Sequence, residues 1–167
     1  MFCIDPGNEM SGYLLVLDGR FPDKGKRPNC EIMQIMRQSL CDQNETHVVI
    51  ERIESQGMAV GDSVFRTCEW VGRFSQAAED MGACVDYVYR RDEKLCLCEN
   101  SRAKDKNIRR ALIDRYATFD MESGRGTKKH PDVLYGFSAD AWSALAVYTT
   151  WKDERDGVYH SVRNKRE

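Results

Sequence analysis

The segment Thr46 to Ile53, THVVIERI, does most to narrow the folds open to this chain. Its β-branched apolar residues follow one another without the polar alternation of a half-exposed strand, which suits a strand covered on both faces, as in a parallel sheet. Such a strand needs helices on either side. From Glu31 to Cys41, Ile32, Met33, Ile35, Met36 and Leu40 recur at helical spacing, predicting a short helix. Asp62 can cap a longer one, in which Val64, Phe65, Cys68, Val71, Phe74, Ala78 and Met81 keep the three-to-four spacing until Gly82 stops it. Ser101 precedes a third, with Ala103, Ile108, Ala111, Leu112 and Tyr116 on its buried side and basic residues opposite. A last helix runs from about Ser138 to Trp151.

The remaining apolar runs read as strands. Residues 1 to 5, MFCID, end in an aspartate followed by the turn pair Pro6-Gly7, and Tyr13 to Leu17 returns antiparallel to them before Asp18-Gly19 turns the chain. Residues 20 to 30, with Pro22, Gly25 and Pro28, read as an irregular excursion or a poorly regular third strand. Cys84 to Tyr89 has strand chemistry, and Leu95 to Cys98 reads as a further extended piece. Residues 118 to 136, with Gly124, Gly126, Pro131 and Gly136, form the most loop-like part and are expected to move. Antiparallel strands first and strand-helix alternation afterwards predict an α/β fold, a mixed sheet with helices on both faces. We expect one domain over residues 1–151, with 152–167 as a polar tail.

Length and composition agree with a single globular domain: 167 residues, 41% hydrophobic and 31% charged. No apolar stretch approaches the roughly 20 residues that would span a bilayer, and the N-terminus lacks the pattern of an export leader, so a cytoplasmic location is expected. Seven cysteines without a CxxC pair argue against a disulfide framework. Cys96 and Cys98, two apart in an extended piece, would share a face and form half a metal site, but buried core thiols are the commoner arrangement. A net charge of −2 is not that of a duplex-coating protein. Basic residues nevertheless crowd one segment: Arg102, Lys104, Lys106, Arg109, Arg110 and Arg115, followed by Arg125, Lys128 and Lys129. A solvated helix face is the commoner meaning of any one such run.

Three acids carry the chemistry. If the strands ending at Asp5 and Glu51 are parallel neighbours, their carboxylates lie side by side, because adjacent strands are about 4.8 Å apart. Oxygen ligands of this kind suit Mg²⁺, and two such ions can hold the attacking water and the leaving oxygen of a phosphodiester. Taken singly, Asp5 reads as turn chemistry and Glu51 as a solvated strand end. The third acid, Asp140, opens an otherwise apolar helix, where the helix dipole alone would favour an aspartate.

In order and spacing, Ile4-Asp5-Pro6-Gly7 with Ser11-Gly12-Tyr13, Val49-Ile50-Glu51 before a helix, and Ala139-Asp140-Ala141-Trp142-Ser143-Ala144-Leu145-Ala146 resemble the RuvC-type Holliday-junction resolvases, particularly their shorter phage-type relatives. The likeness covers residues 1 to about 151. It implies a ribonuclease-H-like fold, a homodimer, and Mg²⁺-dependent paired nicks in a four-way DNA junction, with Mn²⁺ able to substitute. Asp5, Glu51 and Asp140 would then be metal ligands. The family's common pattern has a further aspartate three residues after the helical one, on the same helix face; here that residue is Ser143. Ser143 could hold a metal-bound water, or Glu54 could replace the acid if the chain turns at Ile53, with Asp132 and His130 as further options. The family's phosphate-facing lysines fall closest to Lys94 and Lys106, and its dimer contact to the helix of Phe65 and Trp70.

Three functions compete on this reading. The first is a junction resolvase, the second a nuclease with broader branched substrates such as flaps and forks. The third is a DNA-binding domain of the same fold that lost its chemistry. No membrane partner is expected, and His47, His130 and His160 form no triad.

Overall fold

The computed structural model describes residues 1–41, 47–54 and 60–160. Five strands, β1 (Phe2–Asp5), β2 (Met10–Leu17), β3 (Arg20–Pro28), β4 (His47–Arg52) and β5 (Cys84–Tyr89), form one sheet in the order β3-β2-β1-β4-β5. β1, β2 and β3 pair antiparallel, whereas β4 lies parallel to β1 and β5 parallel to β4. Five helices accompany them among the described residues: α1 (Asn29–Cys41), α2 (Asp62–Asp80), α3 (Arg90–Cys98), α4 (Asp105–Tyr116) and α5 (Ala139–Arg155). This is the mixed sheet expected from the sequence. The predicted start of β4 at Thr46 and the tail beyond His160 lie outside the described residues.

Strand side chains alternate between faces, and the core divides accordingly. Phe2, Ile4, Val48 and Ile50 pack with Ile32 and Met36 of α1 and with Val71 and Phe74 of α2. Cys3, Leu14, Val49 and Val88 face the other way, against Ile108 and Leu112 of α4 and the apolar run Ala144 to Tyr148 of α5. Helices therefore cover both faces of the central strands, as the unbroken apolar run of β4 requires.

Residues 20–28 form the poorly regular third strand of the two readings, not an excursion: the β2–β3 register slips between Leu15 and Leu17, β3 is at the sheet edge, where prolines cost no ladder hydrogen bond, and Phe21 anchors it against Tyr116, Phe137 and Tyr148. Elsewhere the structure departs from the sequence reading. Leu95 to Cys98 is helical, the last turn of α3. Cys96 and Cys98 thus diverge by about 200° around a helix, which removes the half metal site, and Cys96 instead lies 3.4 Å from Asp153. Only Cys3 is a fully buried thiol; Cys30, Cys41, Cys68 and Cys84 are exposed. α2 begins at Asp62 itself after the cap residue Gly61, and α4 begins at Asp105, because Asn100 turns the chain by accepting the backbone N–H of Arg102 at 2.9 Å.

At the C-terminal end, α5 runs to Arg155, past the predicted Trp151. The added turn is fastened: the buried Asp153 receives two guanidinium bonds from Arg115, both 2.5 Å, and the Trp151 indole N–H donates to Asp86 at 2.9 Å. The loop between α4 and α5, expected to move, carries a dense hydrogen-bond frame. Asp132 accepts the backbone N–H groups of Thr118, Phe119, Asp120 and Val133, and Asp120 accepts those of Ser123 and Gly126.

Candidate active site

Alternation along the strands places the acids. Asp5 shares a face with Cys3, and Glu51 with Val49, so both carboxylates point to the side covered by α5. The β1–β4 register pairs Ile4 with Ile50, and its next step sets Asp5 beside Glu51. The two side chains are hydrogen-bonded to each other, and the Ser143 hydroxyl donates to Asp5. Asp140 enters from above. Its first turn of α5 lies directly on Gly12, the register partner of Asp5, and its charge acts on Asp5. Ser143, one turn further along α5, faces the same cluster.

Sequence reasoning missed three contributors. Lys26 of β3 reaches across Gly12 to an ion pair with Asp140 at 3.0 Å. Arg90, directly after β5, donates to Glu93 and to Asp105, both at 2.5 Å. Glu93 itself is fully buried, has one oxygen on Arg90 and none on its Oε1, and interacts electrostatically with Asp5 and Glu51. Lys26 and Glu93 were hidden because β3 read as irregular and α3 as extended. The available signal was Asp92-Glu93 shortly after a strand, a pattern that suits the first turn of a helix.

Burial dominates the electrostatics. It raises the Asp5 carboxyl above its ordinary value, and it raises Glu51 further, with the Glu93 and Asp5 charges adding to the effect. Burial likewise lifts Glu93 to about 8, although Arg90 opposes the shift. The ion-free native state thus holds protons that the unfolded chain releases near 4.5, the ordinary value for Glu51 and Glu93. Stability should therefore fall as pH rises from about 5 to about 8. The lowered carboxyls of Asp120, Asp132 and Asp153 titrate below this window, and the Met1 amine, lowered from 8.0 by burial, opposes the trend only at its upper end, as one group against two. A divalent ion should flatten the slope by replacing the protons. Melting temperatures at several pH values, with and without Mg²⁺, check this; an ion-free melting point that climbs over the interval would contradict it.

A cleft of about 310 Å³ opens beside Ser143, lined by Arg90, Asp105, Lys106, Ile108, Arg109 and Trp142. Lys106 also borders a second depression with Arg102 and Lys104, so it links these cations to the cleft beside Ser143. Arg110 and Arg115 are engaged elsewhere, with Asp114 and Asp153. Lys94, one residue past Glu93, is turned about 100° from it around α3 and does not line the cleft. Glu54 lies beyond the end of β4 and is not among the groups acting most strongly on Asp5 or Glu51. The oxygens of Asp132 are filled by its own loop, to which exposed His130 also belongs.

Among the described residues, no three His, Cys, Asp or Glu side chains already surround one point as an ion would hold them. The donor set nonetheless fits a hard divalent cation: the acids and Ser143 offer only oxygens, burial disfavours the charges of Asp5 and Glu51 in the absence of a cation, and Glu93 keeps an unpartnered buried oxygen.

The sheet order, with helical layers on both faces and carboxylates at the ends of β1 and β4, defines a ribonuclease-H-like fold. Solved structures that it resembles include RuvC structures. The chain matches Thermus thermophilus RuvC with a TM-score of 0.54 and 15% identity over 94% of this chain and 97% of that one. It matches T. thermophilus RuvC in complex with a Holliday junction substrate with a TM-score of 0.57 and 14% identity, over 94% and 96% of the two chains. No protein-family model matches the chain, and no curated protein matches it in sequence. No helix among the described residues is long and apolar enough to cross a membrane.

Proposed function

We propose that the protein is a divalent-metal-dependent endonuclease that resolves four-way DNA junctions by paired nicks, acting as a homodimer. The observation that carries this reading is the meeting of Asp5, Glu51 and Asp140 on one sheet face, at the mouth of a basic cleft. Mg²⁺, or Mn²⁺ in its place, supplies an activated water and stabilises the leaving oxygen. The chain's own residues hold and orient. Asp5 and Glu51 would fix one side of the ion site from the rigid sheet, and Asp140 and Ser143 would close it from α5. Lys106 and Arg109 grip the phosphates entering the cleft, and Lys94 serves the backbone farther out. Phe65, 61% exposed on the outer face of α2, supports a subunit contact there.

Cleavage of labelled four-way junctions, flaps, forks and linear duplex in Mg²⁺ tests the proposal. The expected result is symmetric nicking of the four-way junction, leaving ligatable 5′-phosphates. Cutting of flaps and forks alone would favour the broader nuclease, and binding of every substrate without cutting would favour a DNA-binding domain that lost its chemistry.

A further inference from the structure

We infer that Glu93 is a ligand of the divalent ion, supplied by the first turn of α3 in place of an acid at residue 143. This rests on the metal-dependent reading above and assigns it a residue that no strand-end motif marks. The position follows from the topology. β4 pairs in parallel with β5, with Glu51 opposite Val88 and Arg52 opposite Tyr89, and α3 begins at the next residue, Arg90. The first turn of α3 therefore sits over the strand end adjoining Glu51, and Glu93 lies close enough for its charge to act on both Asp5 and Glu51.

Three features separate Glu93 from an ordinary buried acid. Its side chain is wholly inaccessible, yet only one of its oxygens has a partner: Oε2 takes the Arg90 guanidinium at 2.5 Å, while Oε1 has none. A buried oxygen left without a donor or cation is destabilising, so its retention beside two other acids needs a partner that arrives later. Arg90 does not need Glu93 for neutralisation alone, since it also holds Asp105 at 2.5 Å. The third feature is Ser143. Its hydroxyl bonds to Asp5, so a side chain at 143 points into the cluster, but it brings no charge. Without Glu93, ion binding would rest on Asp5, Glu51 and Asp140, the last already paired with Lys26. With Glu93, the acids come from β1, β4, α3 and α5, and an ion could draw them together from four elements.

The test uses the full chain and reads ion binding rather than cleavage. Mn²⁺ is titrated by calorimetry, and the Mn²⁺-induced rise in melting temperature is measured, for the native protein, Glu93→Gln, and the double variant Glu93→Gln with Ser143→Asp. Glu93→Gln should bind Mn²⁺ at least about tenfold more weakly and lose most of the melting shift, while its ion-free melting point stays close to native, because burial already disfavours the Glu93 charge and the Gln side-chain oxygen can still accept from Arg90. The double variant should recover both affinity and shift, since Asp at 143 restores an acid from α5.

Native-like Mn²⁺ affinity in Glu93→Gln would overturn the inference and leave the nuclease reading standing. A lowered ion-free melting point with the Mn²⁺ shift intact would likewise overturn it, making Glu93 an anchor for Arg90. So would failure of both variants to fold, because Asp at 143 cannot repair a lost Arg90 anchor. Absence of Mn²⁺ binding by the native chain would overturn the inference together with the reading it rests on.

Discussion

Asn in place of Asp5 or Asp140 should leave binding of a four-way junction within a few-fold of native, while cutting falls by about 10³-fold or more. The substitution keeps size and hydrogen-bonding shape and removes only the charge. On the proposed function, DNA affinity would come mainly from cations, here Arg102, Lys104, Lys106 and Arg109, which border the two clefts. Cutting depends on charge gathered at one point. At Asp5 the replacement removes the hub, because Glu51 and Ser143 both bond to it and Asp140 acts on it. At Asp140 it removes the acid that α5 lowers over Gly12, and it frees Lys26. Ion-free Asp5→Asn should also be no less stable than native, since burial already disfavours the Asp5 charge. Gel-shift binding and single-turnover cleavage of the same labelled junction measure the two effects separately. Native-rate cutting by both variants would remove these residues from the chemistry.

The parts of this arrangement that were legible in the sequence are those written in local pattern. THVVIERI disclosed a doubly covered strand, and alternation within it fixes the side on which Glu51 lies once Val49 is known to face α5. Asp5 was visible because Pro6-Gly7 ends its strand, and Asp140 because it stands out in an apolar helix. What stayed hidden depended on tertiary context. β3 holds two prolines that would break a central strand, and only its place at the sheet edge makes them harmless, so Lys26 could not be aimed at Asp140 beforehand. Leu95-Cys96-Leu97-Cys98 alternates less than it repeats, and so short an apolar run fits a strand or a helix equally well. Reading it as strand left Glu93 in an apparent connection, whereas the structure places it in the first turn of α3, where its charge acts on Glu51. The basic segment was read as one face, but the structure divides it: Arg110 and Arg115 hold α4 together and to α5, and Lys106 and Arg109 border the cleft.

Gly12→Ala should disable the site without touching any acid. A Cβ at residue 12 would stand 2.4 Å from the Asp140 carbonyl oxygen and 3.2 Å from the Asp140 Cβ. The obstacle is backbone, so no rotamer change relieves it; the first turn of α5 has to lift from β2. We expect a stability loss of about 1–3 kcal/mol from the overpacking. The functional loss should be larger, because a displacement of about 1 Å at a reacting centre can reduce a rate by about 10²-fold. Mn²⁺ affinity should weaken in parallel, since Asp140 and Ser143 both ride on the displaced turn. Gly72→Ala serves as the matched control: a Cβ there meets nothing within 4 Å in the exposed face of α2. In that position helix propensity alone should raise stability by roughly 0.5–1 kcal/mol. If Gly12→Ala melted, bound Mn²⁺ and cut as the native chain does, α5 could not be what sets Asp140 against Asp5. The close approach of helix to strand would then be packing alone, and the third acid would have to reach the ion by another route.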